Sequence, residues 1–82
     1  MIKVFSTTSC SKCNRLKTFL ENNGIAFDRV NMDTAEGLTE LFALGIVTFN
    51  APVLVCGNNA LYSSDLFKGT EIQEEKILSF IA

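Results

Sequence analysis

Cys10-Ser11-Lys12-Cys13 sets two thiols three positions apart, one helical turn, so that both lie on one face of a helix. At that spacing they can close a small disulfide ring and open it again. A helix is predicted from Ser11, which places Cys10 against its N-terminus. Unpaired backbone N–H groups and aligned peptide dipoles there favour a negative charge by roughly 0.3–2 kcal/mol. The thiolate is the reactive form of cysteine, so Cys10 is the candidate nucleophile and Cys13 its resolving partner. Lys12, at i+2, does not face Cys10 along a helix, whereas Asn14, at i+4, does and is neutral. The expectation is a moderately stabilised thiolate, which suits exchange because nucleophilicity falls as the thiol becomes more acidic.

The rest of the chain bounds what that pair can be. Eighty-two residues form one domain, and a small one, burying about 60% of the surface of its unfolded chain. A hydrophobic share of 48%, including seven phenylalanines, suffices for a compact core. The apolar run Met1-Ile2-Lys3-Val4-Phe5 is too short for a secretory leader, and no stretch reaches the length of a membrane span. A cytoplasmic monomer without a membrane partner is expected. The net charge of −2 argues against a nucleic-acid binder. Residues 1–30 carry a net +3 and residues 31–82 a net −5. Lys12, Arg15 and Lys17 cluster beside the cysteines and read as a solvated helix face. Three cysteines do not make a disulfide framework, and in a reducing compartment the common bridge is a transient catalytic one. Cys56 closes the apolar run Val53-Leu54-Val55 and reads as a small buried hydrophobe.

Periodicity supplies the elements that must hold the pair. Ile2–Phe5 reads as a buried strand. Ser11 to about Asn23 reads as a helix with Cys13, Leu16, Phe19 and Leu20 inward, stopped by Gly24. Ile25–Asn31 reads as a second strand. Asp33 with Glu36 resembles a capping box, opening a helix that buries Leu38, Leu41 and Phe42 and ends at Gly45. Gly37 in its first turn weakens it. Residues 46–51 form an extended connection, because Pro52 cannot donate to a sheet ladder and marks a strand start. Val53–Cys56 and Ala60–Tyr62 then pair as a hairpin with a three-residue loop at Gly57-Asn58-Asn59. Thr70-Glu71-Ile72-Gln73 repeats the capping-box pattern and opens a last helix, with Ile72, Ile77, Leu78 and Ile81 inward.

A Cys-x-x-Cys after strand one, a lone proline opening strand three and the order β-α-β-α-β-β-α together resemble the thioredoxin fold. The size, with no added strands, resembles a glutaredoxin along essentially the whole chain. The resemblance implies an α/β domain over residues 1–82, with a four-stranded mixed sheet and three helices. It implies a thiol-disulfide oxidoreductase in which Cys10 attacks, Cys13 resolves and Cys10–Cys13 is the redox-active disulfide. It also implies a cis Ala51–Pro52 bond whose loop offers backbone hydrogen bonds to substrate. Thr8, Ser9, Ser11, Lys12, Ala51, Pro52, Ser63, Ser64 and Asp65 fall at the positions that would contact it. Neither a resident cofactor nor a metal is expected. The partner would be a disulfide-containing protein, and the reductant thioredoxin reductase with NADPH, or glutathione.

Departures from the family pattern bear on that last choice. Ser11-Lys12 replaces Pro-Tyr between the cysteines, and Thr7 stands where a basic residue often meets a glutathione carboxylate. Asn50-Ala51 replaces the Thr-Val before the proline, and Tyr62-Ser63-Ser64 replaces a Gly-Gly ahead of Asp65. These point to glutaredoxin-like redoxins that serve ribonucleotide reductase, whose aromatic-Ser-Gly-Phe motif is partly matched by Tyr62-Ser63-Ser64-Asp65. A glutathione-dependent glutaredoxin is the alternative. From another class, a copper or iron–sulfur carrier could use Cys10 and Cys13. Copper chaperones, however, run β-α-β-β-α-β and usually have methionine where Thr8 stands.

Overall fold

The computed structural model describes residues 1–82. Its elements are β1 (Ile2–Ser6), α1 (Ser11–Asn22), β2 (Asp28–Asn31), α2 (Ala35–Ala43), β3 (Val53–Cys56) and β4 (Asn59–Leu61). They are followed by α3 (Ser63–Leu66), β5 (Phe67–Lys68), β6 (Glu71–Ile72) and α4 (Glu74–Ile81). The main sheet has the order β2-β1-β3-β4. β1 runs parallel to β2 and antiparallel to β3, which pairs antiparallel with β4. This is the expected four-stranded mixed sheet in the thioredoxin-like arrangement.

Alternation along the strands sorts the core onto two faces, because successive side chains of a strand point to opposite sides. Val4 and its cross-strand partner Leu54 meet Leu16 and Leu20 of α1, Leu66 of α3 and Ile77 of α4 on one face. Phe5 and its partner Val53 meet Met32, Leu41 and Ile46 on the other. Lys3, one residue from Val4, emerges on the α2 side, where its ammonium meets Glu40 at 2.9 Å.

The sheet is tied to α2 by a close backbone approach. A Cβ at Gly37 would stand 1.8 Å from the Asn31 carbonyl oxygen, so the residue that weakens the first turn is also the one that lets it sit on β2. The helix N-cap is Thr34 rather than Asp33: its hydroxyl accepts the Gly37 N–H at 3.0 Å, and Asp33 is engaged elsewhere. α2 ends in a left-handed Gly45, φ 81°. The Gly45 and Ile46 N–H groups bond back to Phe42 and Leu41, which folds Ile46 into the core.

Other expectations shift for identifiable reasons. Strand two is shorter than Ile25–Asn31 because the Ile25 N–H bonds to the Leu20 carbonyl at the end of α1 and cannot join a ladder. The β3–β4 loop has two residues, since Cys56 pairs directly with Asn59. Cys56 is half-buried rather than buried. Phe42 and Leu78 are each 40% exposed, not inward, and the Phe42 ring stacks edge-on against Phe49 at 6.1 Å. The largest addition lies after β4. Thr70-Glu71-Ile72-Gln73 does not open the last helix. Glu71–Ile72 is a strand paired with Phe67–Lys68, following the one-turn α3, and α4 begins only at Glu74. The Phe67↔Ile72 pairing places both side chains against the α1/α4 core, a gain that local capping does not match.

Candidate active site

β1 delivers the chain to Thr7, Thr8 and Ser9, and Cys10 is the N-cap of α1. Its backbone is extended (φ −136°, ψ 104°), and its Sγ accepts the Cys13 N–H at 3.1 Å. Sulfur thus fills a position where a Ser, Thr, Asp or Asn oxygen normally satisfies a free helix donor. Cys10 and Cys13 are joined as a disulfide with Cα atoms 5.2 Å apart. Cys13 is 0% exposed, whereas Cys10 keeps part of its surface. An incoming thiol therefore reaches the Cys10 sulfur. No carboxylate occupies the first turn of α1, so that turn carries nothing to oppose a thiolate.

The loop before Cys10 is held from the α2 side. The Thr8 N–H donates to Asp33 Oδ2 at 2.7 Å, and the Asp33 N–H donates to Asn31 Oδ1 at 2.8 Å. Hydrogen bonding from the Thr8 hydroxyl, and then from its N–H, holds the Asp33 carboxyl below its ordinary value of 3.8.

The opposite wall is the turn into β3. Ala51–Pro52 is cis, with Pro52 buried and Ala51 half-buried. Neither the N–H nor the carbonyl of Ala51 takes part in a backbone hydrogen bond within the chain. A groove of about 560 Å³ opens here, lined by Lys12, Thr48, Asn50, Ala51, Tyr62, Ser63, Ser64, Phe67 and Gly69. Lys12 is its one charged residue. The Lys12 ammonium lies 5.7 Å from the centre of the Phe67 ring, in reach of a cation–π attraction. Three residues further into α1, the Arg15 guanidinium donates to the Thr70 carbonyl at 2.5 Å and ties the β5–β6 turn to the helix.

The structure brings Lys12, Ala51, Ser63 and Ser64 together on this groove, with Pro52 packed behind it. Ser9 and Ser11 are exposed on either side of Cys10. Thr8 faces Asp33. Asp65 does not line the groove: its Oδ2 accepts the Tyr62 N–H at 3.1 Å, and its Oδ1 lies 3.5 Å from Lys76. Thr48, Asn50, Phe67 and Gly69 were not among the sequence candidates. Proximity to Pro52 could have pointed to the first two. Phe67 and Gly69 lie in a stretch that showed no readable period, and only the hairpin brings them to Lys12. No group of three or more His, Cys, Asp or Glu side chains is placed to hold a metal ion.

Comparison with known proteins follows the same lines. The family described as Glutaredoxin matches residues 2–59, a span that includes both cysteines and Pro52. A thioredoxin-like protein, solved as a point mutant, is 19% identical with a TM-score of 0.73, and the match covers 100% of both chains. The glutaredoxin-like NrdH-redoxin from Escherichia coli is 23% identical, with a TM-score of 0.60 over 74% of this chain and 79% of that one. A glutaredoxin from Archaeoglobus fulgidus is 21% identical, with a TM-score of 0.69 over 98% and 84%. At these identities the structural likeness is one of fold. No curated protein matches. The chain belongs to the glutaredoxin family, and Cys10 and Cys13 are the dithiol of a thiol-disulfide oxidoreductase.

Proposed function

We propose that this protein is a dithiol electron carrier that reduces disulfides in other proteins, with ribonucleotide reductase as the type of target, and that thioredoxin reductase rather than glutathione recharges it. The observation that carries the direction of attack is the unequal burial of the two sulfurs: Cys10 is reachable and capped by an N–H donor, Cys13 is enclosed.

In the reduced protein the Cys10 thiolate attacks one sulfur of the target disulfide. A Cys10–target disulfide forms and the second target sulfur leaves as a thiolate, taking a proton from solvent. Cys13 loses its proton and attacks the Cys10 sulfur, closing the Cys10–Cys13 bridge and releasing the first target sulfur, the one bound to Cys10, as a thiolate that takes up a proton. The target gains two electrons and two protons, and the pair is oxidised by the same amount. The free Ala51 N–H and carbonyl sit where an extended target segment can pair with them, which orients its sulfur toward Cys10.

Support for a protein reductant comes from the charge of the groove. Glutathione brings two carboxylates and an ammonium, while the groove offers Lys12 alone, and Asp65 is already engaged by Tyr62 and Lys76. The NrdH-redoxin, which shares the fold, is itself described as having a thioredoxin-like activity profile. A metal-carrier role has less support, because no third donor side chain completes a site with the two thiols.

The test supplies oxidised protein with NADPH and either thioredoxin reductase or glutathione plus its reductase. Turnover with thioredoxin reductase should exceed the glutathione route by about tenfold or more, a difference of about 1.4 kcal/mol in the effective barrier. A glutathione route of equal or greater efficiency transfers the protein to the glutathione-dependent reading.

A further inference from the structure

Three basic residues follow Cys10 on α1, and the structure sends each a different way. Lys12 reaches the Phe67 ring, and Arg15 donates to the Thr70 carbonyl. Lys17 is half-buried and forms no ion pair: Glu21, four residues on, accepts from Arg29 instead. Lys17 lines a pocket of about 260 Å³ between α1 and β2, together with Thr7, Thr8, Asn14, Arg29 and Asn31. Helical spacing puts Lys17 one turn below Asn14, and Asn14 one turn below Cys10, whose carbonyl accepts the Asn14 N–H at 3.2 Å. Strand alternation puts Arg29 and Asn31 on the α1 side, since Val30 between them packs against the cluster around Phe5. In the sheet order β2-β1-β3-β4 this pocket lies on one side of β1 and the groove at Ala51 on the other, so Cys10 stands between them. Neither cavity is lined by an Asp or Glu. Glu21 and Asp33 are engaged by Arg29 and by the Thr8 N–H.

We infer that this pocket receives an acidic side chain of the protein whose disulfide is reduced, carried beside the target cysteine on the far side of Cys10 from Ala51. The inference rests on the dithiol reading above and deepens it by naming the chemistry of the partner. Two cations lining one pocket repel each other, and a carboxylate between them relieves that repulsion and accepts charge-assisted hydrogen bonds from both. Uncharged donors complete the set. The Asn31 amide oxygen accepts the Asp33 N–H, which leaves its NH2 group to donate, and Thr7 and Asn14 add a hydroxyl and a second amide. Lys12, in the other cavity, favours the same sign of charge along the segment that crosses Cys10. The chain as a whole carries a net −2, so the attraction belongs to these residues and acts at contact rather than over distance. Arg29 is exposed and Lys17 half-buried, so each meets the carboxylate as a surface ion pair, worth about a twofold gain in rate.

The experiment compares two disulfide-bridged peptides of equal length as substrates for the reduced protein, one with Glu on both sides of each cysteine and one with Gln there. The native protein should reduce the Glu peptide about fourfold faster, the product of two surface ion pairs. Raising the salt to about 1 M, where the screening length is about 3 Å, should bring that ratio toward one. Lys17→Gln should lower the ratio to about half its native value, and Lys17→Glu should bring it to about one. Lys17→Arg keeps the charge and should retain the preference. Lys3→Gln changes the net charge as much as Lys17→Gln does, but on the α2 side of the sheet, and should leave the ratio at its native value. Equal rates in the native protein, an undiminished ratio in Lys17→Glu, or the same loss in Lys3→Gln overturns the assignment. So does an equal loss of rate in Lys17→Gln with oxidised glutathione as substrate, which would make the pocket a site for that small molecule. Failure to reduce even the Gln peptide would instead overturn the dithiol reading on which the pocket's role rests.

Discussion

Asp33 accepts the Thr8 backbone N–H at 2.7 Å, joining the start of α2 to the loop that presents Cys10. The two residues are 25 positions apart, and each stands at the C-terminal side of one of two parallel strands, β1 and β2. The bond therefore fixes the height of the Cys10 loop relative to the sheet edge. Because the carboxylate form accepts the bond better than the neutral acid, the same contact holds the Asp33 carboxyl below 3.8.

A group whose folded value is lowered contributes stability that is present above its unfolded value and is lost as the folded one is protonated. Asp33→Ala should therefore be less stable than the native protein at neutral pH. The difference should shrink only as the pH falls below about 3.8 and vanish once folded Asp33 is protonated. Urea denaturation of both proteins across that range measures it. A difference that persists unchanged into strong acid would show that the effect is not electrostatic.

Cys13→Ser should accumulate a Cys10–target mixed disulfide, visible as a covalent adduct by intact mass, because the buried resolving sulfur is gone. Cys10→Ser should abolish exchange, with Cys13 0% exposed and unable to substitute. An adduct mapped to Cys13 or Cys56 in either variant would contradict the assignment.

Gly37→Ala is expected to destabilise, against the usual rule that alanine improves a helix. Propensity offers a gain of about 1 kcal/mol. The added Cβ would meet the Asn31 carbonyl at 1.8 Å, and both contacts are backbone, so one element must shift. Such overpacking costs about 1–3 kcal/mol, and the net loss should be about 1 kcal/mol by urea denaturation.

Asp65→Asn separates structural from substrate-binding roles. Loss of the carboxylate weakens the Tyr62 N–H bond and the half-exposed Lys76 pair, for a cost of about 0.5–1 kcal/mol. Turnover with thioredoxin reductase should stay within about twofold of native, well under 1 kcal/mol. A selective rise in the KM for glutathione would return Asp65 to the binding role implied by the family pattern.

The residues that sequence reading located are those whose signal is local. A thiol pair at one-turn spacing, a proline at a strand start and glycine at the end of α2 each act through their own backbone. Residues 62–73 were legible only in part, because two patterns compete there. Thr70 with Gln73 has the capping-box spacing of a helix start, but a left-handed Gly69 (φ 63°) and the Phe67↔Ile72 pair turn the same residues into a hairpin. What decides is the space beside Leu66 and Ile77, a tertiary fact that no window of sequence contains. Phe42 misled for a related reason. Its spacing is that of a core residue, but its ring is 40% exposed and packs against Phe49, a partner that the helix period does not reveal.

The sulfur that caps α1 has a consequence for how any inactive variant is interpreted. Serine at position 10 removes the redox chemistry yet keeps an oxygen to receive the Cys13 N–H, whereas alanine removes both. Electron transfer and the starting point of coiling share one atom. Alkylation of Cys10, or its union with a target, therefore also tests how firmly the first turn of the helix holds without its own terminator.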